Sequence, residues 1–328
     1  MKRILTGDRP TGNLHLGHYI GTLKNRARLQ HEYETYLLVA DVQCLTTNFD
    51  RPEQIKEDIY NVIAGYFAAG IDPQTANIVI QSRIPEIAEL TLYYSMIVPM
   101  ALLKYNPTIK SEIAAGYAKE MTYGFFGYPV NQAADITIFG ADLVPVGKDQ
   151  VPHIELTRKI VRKFNALYGE VLTEPRELLG EVPVLPGLDG REKMSKSLGN
   201  AIFLCDDDES IVKKIKSAVT DKSRIHPSDP GHPEVCTVFM YYRAFFPDQV
   251  PGIETGCSNA AFGCVACKKR FAENLCAFIK PMRERYFSVR NDHKFLEAAA
   301  QRGTARGREL SAATMQAVKR AMKIDYFI

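Results

Sequence analysis

No stretch of the sequence approaches the roughly 20 consecutive apolar residues that a membrane-spanning helix needs. Nor does a positively charged segment followed by an apolar one, as in a secretory leader, precede the first predicted strand. Tryptophan is absent, and neither sign of charge dominates, with 41 Lys and Arg against 38 Asp and Glu. These absences argue against a membrane or secreted protein, so we expect a globular, cytoplasmic protein.

The small net charge conceals an uneven distribution. Val265–Ile328 holds 14 Lys and Arg against 6 Asp and Glu, whereas the preceding 264 residues hold 27 against 32. A basic C-terminal part on a slightly acidic body suggests a polyanionic partner for that part. Solvated faces of charged helices are the alternative interpretation.

The first half of the chain alternates between short apolar runs and segments of helical periodicity. The runs Arg3–Thr6, Tyr36–Ala40 and Asn77–Gln81 predict buried strands. The alternation predicts an α/β fold with a Rossmann-like, doubly wound parallel sheet, whose ligand lies at the carboxyl ends of the strands. The later periodicity is helical, so we expect one domain over residues 1–187 and a smaller helical domain over residues 188–328. Whether the last helix packs on the sheet stays open.

The stretch Asn106–Gly127 is polar and weakly periodic, so we expect an irregular excursion from the sheet. Tyr128 and Pro129 would then begin a helix that carries Asp135 among alanines and an isoleucine. A carboxylate in such surroundings is costly to bury without a partner. Asp135 is therefore expected to face a ligand donor or a buried partner.

The segment Leu5–Gly21 predicts a strand, a turn rich in Gly and Pro, and the start of a helix that we expect over Leu14–Gln30. His15 and His18 are three residues apart, so they share a face of the first helical turn, and Gly17 leaves room for a flat ring. Two histidine donors at the positive end of a helix suit a phosphate that gains charge in a transition state. For either histidine alone, an exposed position at a helix start is the simpler interpretation.

Lysines and hydroxyls alternate in a second segment, Lys193–Ser197, which reads Lys-Met-Ser-Lys-Ser. On its own such a run is typical of a solvated loop. Paired with His15–His18, which reads His-Leu-Gly-His about 180 residues earlier, it resembles the two signature motifs of the class I aminoacyl-tRNA synthetases. The order and the separation of the two segments make this resemblance specific.

Three further segments, Thr6–Gly12, Tyr128–Ile136 and Val144–Gln150, resemble the bacterial tryptophanyl-tRNA synthetases, and the similarity runs over nearly the whole chain. The resemblance implies that L-tryptophan is activated by ATP, with Mg²⁺, to tryptophanyl-adenylate and is then transferred to tRNA(Trp). It also implies a homodimer that binds ATP and tryptophan in the first domain and the tRNA anticodon in the second, with no DNA or membrane partner. A tyrosyl-tRNA synthetase and a non-catalytic RNA-binding or redox-sensing relative are the alternatives.

The resemblance assigns roles to particular residues. Catalysis falls to His15, His18, Lys193 and Lys196. ATP contacts come from Arg9, Pro10, Thr11, Gly17, His18, Gly147, Lys148, Asp149, Val184, Lys193, Met194, Ser195, Lys196 and Ser197, and Lys110 in the irregular stretch is a further candidate phosphate contact. Tryptophan contacts come from Tyr128, Gln132, Asp135 and Gln150, with Asp135 accepting the indole N–H, which is a donor only. Arg9, Gln132 and Lys148 depart from the commonest bacterial pattern.

Four of the seven cysteines, Cys236, Cys257, Cys264 and Cys267, fall at intervals typical of a metal site. Disulfides are not expected in the cytoplasm. The segment Gly256–Lys269 resembles the iron–sulfur segment of a subset of tryptophanyl-tRNA synthetases, which implies a [4Fe–4S] cluster near the anticodon-binding region. A tetrahedral Zn²⁺ site and unliganded buried thiols are the alternatives.

Overall fold

The computed structural model describes residues 1–114, 116, 121–147, 150–179, 185–191, 193–196 and 198–327. Its centre is a parallel sheet of five strands in the order β3-β2-β1-β4-β5. The strands are β1 (Arg3–Asp8), β2 (Glu34–Val39), β3 (Ala76–Ile80), β4 (Leu143–Val146) and β5 (Arg176–Leu179). The parallel pairing and the central position of β1 confirm the predicted doubly wound α/β class.

Helices lie on both faces of the sheet and form the C-terminal part. In the described residues they are α1 (Leu16–His18), α2 (Lys24–Leu29), α3 (Asp41–Asn48), α4 (Glu53–Ala68), α5 (Pro85–Ile97), α6 (Met100–Lys104), α7 (Pro107–Ala114), α8 (Tyr123–Ile138), α9 (Val151–Tyr168), α10 (Asp208–Ser217), α11 (Thr237–Phe245), α12 (Val250–Ser258), α13 (Cys264–Arg290) and α14 (His293–Ala321). None of these helices combines the length and the apolar character that crossing a bilayer requires.

The helix after β1 is interrupted where the sequence predicts a continuous one. A wide π-type turn over Tyr19–Leu23 separates α1 from α2. Such turns are frequent at functional sites, and this one begins directly after His18. The helix therefore changes its pitch at the point where the predicted phosphate ligands end.

The predicted irregular stretch over Asn106–Gly127 is wrong in part. Helix α7 occupies its first half, and α8 begins at Tyr123 rather than at Tyr128. Thr122 caps α8, because its Oγ1 accepts from the backbone N–H of Phe125 at 3.1 Å. A threonine cap is a start signal that the sequence carries, and the polar composition of the stretch obscures it.

The last helix, α14, packs on the sheet. A Cβ on Gly303 would collide with the backbone of Ile78 in β3, so a glycine is required at this crossing. Thr304 Oγ1 accepts from the N–H of Ile80 at 3.1 Å, which satisfies a donor on the edge strand. The division between residues 187 and 188 stays a prediction, and the sheet and the later helices share one apolar core.

Candidate active site

The turn that follows β1 brings His15 and His18 together at the start of α1. The backbone N–H of His15 donates to His18 Nδ1 at 3.2 Å, and the two ring centroids are 3.8 Å apart. A Cβ on Gly17 would lie 2.9 Å from the His15 ring. The ring for which Gly17 leaves room is therefore that of His15.

Both imidazoles are neutral at pH 7. Burial, together with the neighbouring His18 and Lys196, lowers the pKa of His15 to about 2. Burial also lowers the pKa of His18 to about 4, against the opposing charge of Asp8. Because His18 Nδ1 accepts a hydrogen bond, its proton lies on Nε2. The pair thus supplies neutral N–H donors, and positive charge at this site has to come from other residues.

Lys196 of the second predicted segment lies directly on this turn. Its Nζ donates to the carbonyl of Gly12 at 2.9 Å and to Thr11 Oγ1 at 3.4 Å. Burial lowers the pKa of Lys196 to about 8, while the carboxylates of Asp8 and Asp58 oppose this shift. The side chain is therefore mainly protonated at pH 7, and it provides the positive charge that the histidines lack.

A cavity of about 450 Å³ opens between the carboxyl ends of β1 and β4 and helices α1 and α8. Twelve of the residues that the sequence analysis assigns to catalysis, ATP or tryptophan line it. They are Arg9, Thr11, His15, Gly17, His18, Tyr128, Gln132, Asp135, Gly147, Gln150, Lys193 and Met194. The structure thus gathers residues from both signature segments and from α8 around one space.

Besides Lys196, three assigned residues are described by the structure but do not line the cavity. The carbonyl of Pro10 accepts from the Cys44 thiol at 3.2 Å, and the backbone N–H of Ser195 donates to Asn200 Oδ1 at 2.7 Å. Lys110 lies over the ring of Tyr105, with Nζ 5.1 Å from its centroid, and does not line the cavity. The predictions for Lys148, Asp149, Val184 and Ser197 fall outside the described residues.

Asp135 is buried on α8, and its partner is a residue that the sequence analysis misses. Gln81 Nε2 lies 2.8 and 3.0 Å from the two carboxylate oxygens, and the backbone N–H of Gln43 holds the Gln81 amide by donating to Oε1 at 3.0 Å. Burial raises the pKa of Asp135 to about 7, the bond from Gln81 opposes this rise, and the charge of Asp41 adds to it. Asp135 is therefore a carboxyl group that titrates near neutral pH beside the cavity.

Tyr128 lies on the same helix, lines the cavity and interacts with a buried histidine and a carboxylate. Its hydroxyl is 3.1 Å from Nε2 of the buried His153. Burial raises the pKa of Tyr128, and the carboxylate of Glu112 raises it further. Glu112, on α7, also lines the cavity. The sequence analysis missed Glu112, because it assigned no helix to that stretch.

A buried ion pair supports the floor of the cavity. Arg26 Nη1 donates to Asp8 Oδ2 at 2.5 Å, and the hydroxyl of Tyr66 donates to the same oxygen at 2.9 Å. Burial opposes the ionisation of Asp8, but the charge of Arg26 and the hydrogen bonds from Arg26 and Tyr66 hold its pKa below the ordinary value. Asp8 is therefore a fixed negative charge at the end of β1, next to His18.

Comparison with known proteins agrees with this geometry. Residues 1–280 match the family described as tRNA synthetases class I (W and Y). The chain belongs to this family. The match covers both signature segments and all the cavity-lining residues.

Relatives of this synthetase cover its full length. It is 44% identical to a tryptophan–tRNA ligase of Clostridium longisporum, over 99% of this chain and 97% of that protein. It is 45% identical to a tryptophan–tRNA ligase of Thermotoga maritima, over 99% and 100%. The crystal structure of tryptophanyl-tRNA synthetase from Campylobacter jejuni, complexed with ADP and tryptophan, superposes with a TM-score of 0.87 at 31% identity over 98% of this chain and 99% of that one.

The four predicted cysteine ligands of the synthetase lie at helix ends. Cys236 directly precedes α11, Cys257 is in the last turn of α12, and Cys264 and Cys267 are in the first turn of α13. Burial, with a smaller contribution from the other three cysteines, raises the pKa of Cys267 to about 12. All are free thiols. Within the described ranges, no three His, Cys, Asp or Glu side chains are grouped as they would be around one metal ion.

Proposed function

We propose that this synthetase activates L-tryptophan with ATP and transfers the tryptophanyl group to tRNA(Trp). The observation that carries the proposal is the single cavity that His15, His18, Lys193 and Asp135 line together. The cavity unites donors suited to phosphate with an acceptor suited to an indole N–H. The relatives from Clostridium longisporum and Thermotoga maritima support it by their name, tryptophan–tRNA ligase.

In the first step the tryptophan carboxylate attacks the α-phosphate of ATP. One C–O–P linkage forms, the bond between the α-phosphate and its bridging oxygen breaks, and pyrophosphate leaves. The reaction needs no nucleophile from the protein, so the enzyme contributes position and charge stabilisation. His18 donates from Nε2 to phosphate oxygen, and Lys193 and Lys196 neutralise the charge on the leaving group.

Mg²⁺ fits this site mainly through the substrate. Asp8 lines the cavity, but its carboxylate is committed to Arg26 and Tyr66. The phosphate oxygens of ATP are therefore the principal ligands for the ion, in keeping with its preference for oxygen. When bound, Mg²⁺ would supply positive charge to those phosphates.

Selection of the amino acid is assigned to the α8 side of the cavity. An indole N–H can only donate a hydrogen bond. The carboxylate of Asp135, which is held by the amide of Gln81, can accept it. Tyr128, Gln132 and Gln150 line the same space and are proposed to hold the ammonium and the ring. The preference for tryptophan over tyrosine is supported by the names of the relatives.

Amino-acid-dependent exchange of pyrophosphate into ATP tests the proposal. Exchange with tryptophan and none with tyrosine is the expected result. Exchange that depends on tyrosine would favour the tyrosyl alternative. No exchange with either amino acid would favour the non-catalytic, RNA-binding or redox-sensing alternative.

A tRNA partner is consistent with the charge of the C-terminal helices. The excess of Lys and Arg over Val265–Ile328 lies largely on α13 and α14, with Lys269 and Arg270 exposed at the start of α13. Polyanions bind such surfaces through their phosphates. A tRNA substrate also assigns the enzyme to the cytoplasm.

Exposed apolar side chains support a homodimer. Leu92 and Met96 are four residues apart on α5, so they share a face. They are 55% and 69% exposed, and Met100 and Tyr105 nearby are 62% and 65% exposed. Apolar surface of this kind typically marks a protein–protein interface.

Met96→Glu is expected to shift the protein from dimer to monomer, because it places a charge in the proposed apolar contact. Sedimentation equilibrium measures the change. Lys159→Glu, which places a glutamate at an exposed position of α9 and changes the net charge by twice as much, serves as the control. A wild-type protein that sediments as a monomer at micromolar concentration would contradict the dimer.

A [4Fe–4S] cluster held by Cys236, Cys257, Cys264 and Cys267 is the finer proposal for the C-terminal part. The donor set fits it because a [4Fe–4S] cluster takes four cysteine sulfurs, and the spacing of these four cysteines together with the resemblance of Gly256–Lys269 supports the proposal. Such a group would tie the starts of α11 and α13 together.

Cys264→Ser combined with Cys267→Ser is expected to abolish iron content and visible absorption in anaerobically purified protein. Exchange of pyrophosphate should persist, because the cavity-lining residues extend no further than Met194. Charging of tRNA should fall through local unfolding around α13. Cys276→Ser, on the same helix, is the control. Stoichiometric zinc without iron in the wild-type protein would exclude the cluster.

A further inference from the structure

Asp58 is a buried carboxylate that neither motif predicts. It lies on α4 with 7% of its surface exposed. Its Oδ1 is 3.8 Å from the position of a Cβ built on Gly12, so the side chain lies against the turn after β1. Asn61, three residues on, donates to the same oxygen at 3.3 Å. No cation is within salt-bridge distance of Asp58 in the described residues.

Lys196 contacts the same turn. The two hydrogen-bond acceptors of its Nζ, the Gly12 carbonyl and Thr11 Oγ1, are both neutral. The ammonium therefore needs a negative charge nearby, since burial of an uncompensated charge is costly. Burial raises the pKa of Asp58, the bond from Asn61 opposes this rise, and among the surrounding charges Lys196 opposes it most.

The other charges near Lys196 are already committed. Asp8 is paired with Arg26 at 2.5 Å. The remaining titratable groups that face Lys196 are Arg9, His15, His18 and Cys44. Of these, the histidines are neutral, Arg9 repels the ammonium, and the pKa of the Cys44 thiol is raised by burial. Of the two carboxylates that act on Lys196, Asp8 and Asp58, only Asp58 has no cation paired with it in the described residues.

We propose that Asp58 is a positioning residue that holds Lys196 of the lysine–serine loop against the Thr11–Gly12 turn. This inference rests on the proposed function of Lys196 in adenylate formation. With its charge balanced, the ammonium is ordered next to the phosphate side of the cavity before ATP arrives. Less freedom is then lost when the transition state forms.

Helix α13 supports Asp58 through Asn61. Arg290 Nε donates to Asn61 Oδ1 at 2.7 Å, and the hydroxyl of Tyr286 lies 3.1 Å from that oxygen and 2.8 Å from Asn13 Oδ1. These bonds fix the Asn61 amide so that its N–H group faces Asp58. The end of the helix that begins at Cys264 therefore meets the turn that carries the first signature segment.

Asp58→Asn is expected to make Lys196 easier to deprotonate. Burial lowers the pKa of Lys196 to about 8 and Asp58 opposes this shift, so loss of Asp58 moves the pKa further down. The rate of acetylation of Lys196 in the ligand-free protein, followed by mass spectrometry across pH, measures this directly. Asp58→Glu should retain part of the effect. Glu53→Gln is the matched control, because it removes an exposed carboxylate from the same helix.

A double-mutant cycle on single-turnover adenylate formation tests the role in catalysis. Asp58→Asn alone should slow the step about tenfold at neutral pH, and should change nothing further once Lys196→Ala is present. The proposal would be overturned if Asp58→Asn slowed adenylate formation equally with and without Lys196→Ala. It would also be overturned if Asp58→Asn kept its thermal unfolding midpoint and left the pH dependence of Lys196 acetylation unchanged. Absence of tryptophan-dependent pyrophosphate exchange in the wild-type enzyme would instead overturn the proposed function. The acetylation experiment would still test whether Asp58 shifts the pKa of Lys196, because it uses the ligand-free protein.

Discussion

Lys196→Ala is expected to slow single-turnover formation of tryptophanyl-adenylate by about 100- to 1,000-fold, with less than about a twofold change in tryptophan affinity. The side chain donates to the turn that carries His15 and His18, and both histidines are neutral. Positive charge beside the leaving pyrophosphate therefore depends on Lys193 and Lys196, together with Arg9 of the cavity lining. An interaction that strengthens only as that charge develops affects the rate of the step rather than the binding of tryptophan.

Rapid quenching of enzyme mixed with ATP and tryptophan measures this step without tRNA. Lys213→Ala is the matched control, since it removes an exposed lysine from α10, away from the cavity. Lys196→Arg separates charge from position, because it keeps the charge but not the compact ammonium. An unchanged single-turnover rate in Lys196→Ala would remove this loop from the mechanism.

The sequence identifies the parts of the site that are encoded locally. A short apolar run specifies the strand before His15, and Gly and Pro residues specify the turn. The three-residue interval between His15 and His18 places both on one face of the helix start. The lysine–serine segment is equally compact, and the structure places Lys196 on the turn that carries His15. Each of these elements can be recognised without knowledge of the distant chain.

The partners of these elements could not be found in the same way. Gln81 ends up beside Asp135 because β3 and α8 meet in the fold, although 54 positions separate them. The pairing of Asp8 with Arg26 depends on the interrupted helix after β1, and helical periodicity does not reveal a π-type turn. Each contact is a product of tertiary packing, which neither propensity nor spacing reports.

The packing of α14 on β3 shows the same limit for the fold. Its sequence predicts a helix, but the surface that it covers is decided by Gly303 and Thr304, which meet the backbone of β3. A glycine within a helical pattern usually lowers the expectation of a helix. Here it marks the close approach of two backbones.

Asp135→Asn is expected to weaken tryptophan binding by about 10- to 100-fold, which corresponds to the loss of a hydrogen bond to a charged group. ATP affinity should change little. The substitution replaces a carboxylate by an amide of the same size, and Gln81 competes for the oxygen of that amide. The amide then presents an N–H group to the indole donor, so the two groups repel.

The affinity of the wild-type enzyme for tryptophan should also depend on pH. Burial raises the pKa of Asp135 to about 7. The ionised form is the better acceptor, so tryptophan binding favours it and lowers its pKa. Affinity should therefore fall about tenfold between about pH 8 and about pH 6 and level off above that range. Asp41→Asn should move the dependence to lower pH, because the charge of Asp41 helps to raise the pKa of Asp135.

The absence of tryptophan from the chain makes this measurement direct. Light absorbed by indole but not by tyrosine excites only the bound and free ligand, so a titration of ligand fluorescence reports binding without a protein background. Asp135→Asn should show weak binding that is flat across this pH range, and Asp41→Asn should show strong binding with a shifted profile. A pH dependence that persists in Asp135→Asn, or equal losses of tryptophan and ATP affinity, would separate Asp135 from recognition of the indole. If tryptophan affinity is independent of pH in Asp135→Asn alone, the Asp135 carboxylate is the group that accepts the hydrogen bond from the indole N–H.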